Sequence, residues 1–80
     1  MNIHVIYTTN KMLLSKKAYA NWKAIQADFA DYKTSLGPWS ATDVVGFLIA
    51  EYRKLEPSAE AQVARLLLSR SEFHEVTFRA

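Results

Sequence analysis

The sequence predicts one α+β domain, residues 1–80, with elements in the order β-α-α-α-β. Three helices are expected to form the body, and the N- and C-terminal strands are expected to form a short two-stranded sheet. Both ends of the chain are rich in β-branched and aromatic residues, which favour strands, whereas three inner segments repeat apolar residues at helical spacing. Eighty residues, half of them apolar, allow one hydrophobic core but not two.

Residues 2–8, NIHVIYT, are predicted to form the first strand. The alternation of side chains along a strand places Ile3, Val5 and Tyr7 on one face. The other face carries Ile6, which is apolar, so we expect that face to be partly covered as well.

The longest predicted helix begins at a cap on Ser15 and runs to about Ser35. Gly37 can adopt the left-handed conformation that often ends a helix, and Pro38 prevents the helix from resuming. We expect this helix to pack on the next helix of the same chain, with pairing to a second subunit as the alternative. The prediction depends on a stripe of apolar residues three or four positions apart: Ala18, Trp22, Ile25, Phe29, Tyr32 and Leu36.

The central predicted helix spans Trp39 to Leu55, and the rest of the chain is expected to surround it. The Ser40 hydroxyl is expected to accept a hydrogen bond from the Asp43 N–H, and the Asp43 carboxylate one from the Ser40 N–H. Pro57 ends the helix. Gly46 is expected to permit the close approach of another backbone. Burial on most sides is predicted because apolar residues cover most of the circumference: Val44, Val45, Phe47, Leu48, Ile49, Tyr52 and Leu55.

A third helix is predicted from Ser58 to Arg70, and a second strand from Phe73 to Arg79. Val76 and Phe78 are expected in the core. The two terminal strands are expected to pair with each other, or across a two-fold axis into a larger sheet.

Catalytic motifs are absent from the sequence, and we predict no cofactor, no metal and no enzymatic activity. The chain has no cysteine, which excludes disulfides, thiolate metal ligands and a cysteine nucleophile. Its two histidines lack metal-site spacing, and its two glycines lie nine positions apart, too far for a phosphate loop. A small ribonuclease is the most distant hypothesis, and it would use Arg70, Glu72, His74, Glu75 and Arg79.

Positive charge is concentrated near the N-terminus, although the formal net charge of the whole chain is only +2. The first four charged residues are lysines, and no acid precedes Asp28. A DNA-binding transcriptional regulator is therefore the alternative function, since lysines can contact phosphates. The candidate nucleic-acid contacts are Lys11, Lys16, Lys17 and Lys23.

Aromatic residues are more numerous than so small a core easily encloses, and surplus aromatic residues often anchor interfaces. We predict that Trp39, Tyr19 and Tyr7 contribute to protein binding. The leading function is a small, non-catalytic interaction module that binds and regulates or inhibits another protein. Phages and mobile elements encode regulators of this size. A second copy of the same chain, forming a homodimer, is one candidate partner.

The sequence predicts a soluble protein of the cytoplasm. The first ten residues lack the basic start and the apolar run of a signal peptide, and no segment approaches the roughly 20 apolar residues that span a bilayer. The absence of cysteine suits a reducing compartment.

Overall fold

The computed structural model describes residues 2–79; Met1 and Ala80, the ends of the predicted domain, lie outside the described residues. The secondary-structure elements are β1 (Ile3–Thr8), β2 (Met12–Ser15), α1 (Trp22–Asp28), β3 (Tyr32–Trp39), α2 (Ala41–Glu51), α3 (Ala59–Leu68) and β4 (Phe73–Glu75). The strands form one antiparallel sheet in the order β3-β1-β2-β4. The predicted order β-α-α-α-β with a two-stranded sheet is therefore wrong.

Strand β1 lies inside the sheet and pairs with both β2 and β3, not with the C-terminal strand as predicted. A tight turn joins β1 to β2, and the Thr8 N–H donates to the Lys11 carbonyl at 2.9 Å. This hairpin places β2, a strand absent from the prediction, between β1 and β4. β1 is buried along almost its whole length because neighbours cover both of its faces.

The predicted helix from Ser15 to Ser35 does not form. Its first part is the end of β2, its middle contains the seven-residue helix α1, and its last part belongs to β3. The side chain of Asn21 caps α1 by accepting hydrogen bonds from the N–H groups of Lys23 and Ala24, so the helix starts late. The residues that follow α1 pair with β1 as strand β3 and not as a helix, because tertiary contacts override helix propensity.

Helix α2 begins as predicted but is less buried than predicted. The Asp43 N–H donates to the Ser40 hydroxyl at 3.1 Å, which confirms that half of the predicted cap. The helix ends at Glu51, and within it only Val44 and Leu48 are buried. Ile49 is 56% exposed, because α2 packs on one face of the sheet and on α3, and its outer side meets solvent.

Helix α3 packs beside α2 and buries Ala59, Gln62, Val63 and Leu66. The strand predicted after it is shorter than expected, since β4 has only three residues. In the segment that follows β4, Val76 is buried as predicted, whereas Phe78 is 46% exposed, contrary to prediction. The main core lies between the sheet and these two helices: Ile3, Val5, Met12, Leu14, Val44, Leu48, Ala59, Val63, Leu66 and Val76.

The other face of the sheet has a smaller apolar layer. Ile6 and Ile25 are buried there, outside the main core, and α1 packs against β3. The rings of Phe29 and Phe73 meet edge to face with centroids 5.4 Å apart. The expectation that the Ile6 face is covered is therefore confirmed. None of the helices in residues 2–79 is both long and apolar enough to cross a membrane.

Candidate functional site

Four aromatic rings form a continuous row along one side of the main core, and we call them the aromatic row. The ring centroids of Trp39 and Phe47 lie 5.3 Å apart, with the ring planes tilted by 56°. Phe47 meets Tyr52 edge to face at 6.2 Å, and Tyr52 meets Phe78 at 5.6 Å with a tilt of 58°. The hydroxyl of Tyr7 hydrogen-bonds that of Tyr52 at 3.0 Å.

The structure thus brings two predicted interface residues, Trp39 and Tyr7, to the same side of the molecule. Both are half-buried and pack against the main core. Burial and the hydrogen bond to Tyr52 raise the pKa of Tyr7 well above its ordinary value, so its phenol stays neutral. These two side chains pack against the fold and are partly exposed.

Tyr19, the third predicted interface residue, lies on the opposite face of the sheet. Its ring meets that of His4 edge to face with centroids 5.4 Å apart, and its hydroxyl donates to Asp28 Oδ2 at 2.8 Å. Lys17 Nζ donates to the same carboxylate oxygen at 2.6 Å. Burial, followed by the hydrogen bond to Asp28, raises the pKa of Tyr19 to about 12. Tyr19 therefore belongs to a polar cluster on the other face of the sheet from the aromatic row.

The four candidate nucleic-acid lysines do not form a free basic surface. Lys16 Nζ donates to the carbonyls of Leu66 at 2.8 Å and Ser69 at 2.6 Å, where α3 ends. Lys17 is held by Asp28, Lys11 Nζ lies 3.7 Å from a carboxylate oxygen of Glu75, and Lys23 Nζ lies 5.8 Å from the ring of Trp22. The ammonium groups of Lys11, Lys16 and Lys17 thus contact other groups of this chain, and this reduces the positive charge available to bind phosphates.

His74, the central residue of the ribonuclease hypothesis, belongs to a buried hydrogen-bond network. Its Nε2 lies 3.1 Å from Oε1 of Gln62, a fully buried amide. Gln62 Nε2 donates to the carbonyls of Pro57 at 2.8 Å and Thr77 at 3.0 Å, and its Oε1 accepts from the Thr77 N–H at 3.0 Å. This network joins α3 to the C-terminal segment, which is a structural role. Within residues 2–79, no three histidine, aspartate or glutamate side chains converge as metal ligands.

An open groove lies between α3 and β4, and we call it the α3–β4 groove. Its volume is about 590 Å³. Leu68, at the C-terminal end of α3, is 87% exposed beside it. The residues that line the groove are Ala61, Ala64, Arg65, Leu68, Ser69, Phe73 and His74.

The sequence of α3 contains a pattern that indicates this groove. Residues three and four apart share a face of a helix, so Ala61, Ala64, Arg65 and Leu68 follow one line along α3. The buried residues Ala59, Val63 and Leu66 follow another. The prediction of the third helix did not separate these two lines, so Leu68 was not identified as an exposed side chain.

Both edges of the sheet carry features that oppose the addition of a further strand. On β4, the Ser71 hydroxyl accepts from the Phe73 N–H at 3.1 Å and donates to the Phe73 carbonyl at 3.0 Å. β3 has two irregularities in its pairing with β1 and contains Pro38, which lacks an N–H donor. A partner is therefore more readily accepted on a face of the molecule than along an edge.

In comparisons with known proteins, no family model, no curated relative and no solved structure matched this chain. Its function must therefore be inferred from its own surface.

Proposed function

We propose that the protein is a small, non-catalytic interaction module of the cytoplasm that binds another protein through the α3–β4 groove and thereby regulates or inhibits it. The exposure of Leu68 is the observation that carries this proposal. An apolar side chain beside a groove can insert into, or receive, an apolar side chain of a partner, and such contacts dominate the energetics of interfaces. The cytoplasm is proposed because a chain without cysteine suits a reducing compartment.

The surroundings of Leu68 support this choice of surface. α3 already buries its inner side against the sheet and α2, and Leu68, on its outer side, is not packed against other side chains in residues 2–79. The aromatic row is mostly half-buried, and the sheet edges oppose strand addition. In the α3–β4 groove, an exposed apolar side chain, a cavity and a nearby aromatic ring occur together.

Affinity capture with matched surface variants tests the proposal. The tagged wild-type chain, Leu68→Ser and Trp22→Ser are each used to capture partners from the source cells. Trp22 is a suitable control because it is 55% exposed but lies on α1, on the other face of the sheet. We expect a protein that is captured by the wild type and by Trp22→Ser, and that is lost with Leu68→Ser.

Direct binding of the purified partner completes the test, and thermal unfolding checks that both variants fold. Equal capture by all three chains, or equal loss from both variants, would rule out the groove as the binding surface. Binding to duplex DNA that collapses as salt is raised, with no partner protein captured, would instead support the DNA-binding alternative.

A further inference from the structure

We propose that the α3–β4 groove accepts a segment of the partner that carries a bulky apolar side chain next to a carboxylate, and that Arg65 binds this carboxylate. This inference rests on the proposed function, because it states which chemistry the groove would recognise.

The apolar part of the recognition follows from the lining of the groove. Ala61 and Ala64 are small, so they leave space along α3, while Leu68 and Phe73 supply apolar surface at its borders. A volume of about 590 Å³ exceeds what one leucine or phenylalanine side chain needs. The groove is open to solvent, which suits a chain segment that lies across it.

The acidic part follows from charge. Arg65 makes no ion pair and donates no side-chain hydrogen bond within residues 2–79, where the ion pairs are those of Lys11 and Lys17. No carboxylate lines the groove, and the other titratable lining residue, His74, has its pKa lowered by burial and by Arg65. Arg65 is therefore a cation with no carboxylate beside it in the lining of the groove, and its planar guanidinium matches a carboxylate through two parallel hydrogen bonds.

A protein segment fits this surface better than a nucleic acid does. Binding along a nucleic-acid backbone requires several cations in series, because each phosphate carries a charge. The groove offers one arginine among alanine, leucine and phenylalanine side chains. One charge beside apolar surface is instead the pattern of a peptide that carries one acid and one apolar anchor.

Capped peptides provide the probe. In each peptide one leucine and one glutamate stand in a neutral background, at spacings from adjacent to one helical turn apart. Binding is followed by backbone amide chemical shifts of the isotope-labelled protein. We expect the best peptide to shift Ala64, Leu68 and Phe73, and to bind about tenfold more weakly when glutamine replaces its glutamate.

Charge reversal at Arg65 makes the test specific. Arg65→Gln should remove the preference for glutamate, and Arg65→Glu should transfer it to a peptide with lysine in that place. Arg53→Glu is the matched control, since Arg53 is exposed and does not line the groove. Equal affinity for the glutamate, glutamine and lysine peptides, shifts outside the groove, or no binding by any peptide would overturn the inference.

The capture experiment separates this inference from the proposed function. If Leu68→Ser abolishes capture of the partner and Arg65→Glu does not weaken it, the groove is the binding surface and the inference about a carboxylate is wrong. If peptide binding follows the charge at position 65 but neither variant affects capture, the chemistry of the groove stands and the proposed function is wrong.

Discussion

At the scale of single residues, Lys16 shows how a side chain can have a role that its local sequence does not indicate. In the sequence, Lys16 belongs to the basic N-terminal region, and this region predicts contact with phosphates. In the structure its ammonium group reaches carbonyls about 50 positions later, at the end of α3, where the helix dipole favours a cation. No local pattern can predict this contact because the two partners meet only once the fold has formed.

Replacing Lys16 with methionine should therefore lower stability. Methionine keeps much of the apolar stem of lysine but cannot donate to the carbonyls of Leu66 and Ser69. We expect the free energy of unfolding to fall by about 1–2 kcal/mol, as measured by urea denaturation. Lys11→Met is the control, and it should change stability little, because Lys11 makes only a loose, exposed ion pair with Glu75. An equal effect of the two substitutions would contradict the assigned role of Lys16.

At the scale of elements, local signals predicted the starts of α2 and α3 but not the start of α1. The Ser40 cap of α2 needs a contact only three positions away, and it is present. The strands β2 and β3 depend on pairing with β1; most of β2 was not assigned to any element, and the first half of β3 was predicted as the end of the long helix. The irregular register of β3 explains part of the wrong prediction. Tyr32 lies beside Thr8, and Leu36 lies beside Val5. Tyr32 and Leu36 would share one face of a helix, but in β3 they lie on opposite faces of the sheet.

The candidate groove was missed for a related reason. The helical period of α3 shows that Leu68 and Leu66 point in different directions, but it does not show which side packs against the sheet. That choice follows from the places of β2 and β4 in the sheet; β2 was not predicted, and the C-terminal strand was predicted to pair with β1. The exposure of Leu68 therefore required the tertiary structure.

Two glycines should respond to the same substitution in opposite directions. Gly37, in β3, has φ of +101°, and an added Cβ would lie 2.7 Å from the carbonyl oxygen of Ile3. Gly37→Ala should lower the free energy of unfolding by about 2–3 kcal/mol. An added Cβ at Gly46 meets no atom within 4 Å beyond the neighbouring backbone of its own helix, so the predicted close approach of another backbone does not occur within residues 2–79. Gly46→Ala should raise stability by about 0.5–1 kcal/mol, through higher helix propensity.

Thermal or urea unfolding of both glycine variants, compared with the wild type, provides the measurement. A loss of stability in Gly46→Ala would indicate that the outer face of α2 contacts another molecule under the conditions used, for example a second copy of the chain. Repeating the measurement over a range of protein concentrations would then test self-association directly, because the stability of a dimer rises with concentration.

At the scale of the whole molecule, the arrangement of the sheet determines how the protein responds to pH. A two-stranded sheet made of the chain ends would have left β1 at an edge. In the observed order, β1 lies inside the sheet with layers on both faces, and His4 is only 7% exposed. His74 also lies partly inside, against the buried amide of Gln62. Both histidines of the chain are thus placed where the charged form is disfavoured.

Stability should therefore fall as the pH is lowered through the range where histidine titrates. Burial lowers the pKa of His4 and His74 below the ordinary value of 6.5. Between that value and the lower pKa of the folded state, the unfolded chain binds protons that the folded chain does not, so acidification favours unfolding. We expect the melting temperature to decline from about pH 7 to about pH 5, above the range of the carboxylates. Replacing His4 with phenylalanine and His74 with asparagine should flatten this decline, whereas an unchanged slope in the double variant would show that other groups cause it.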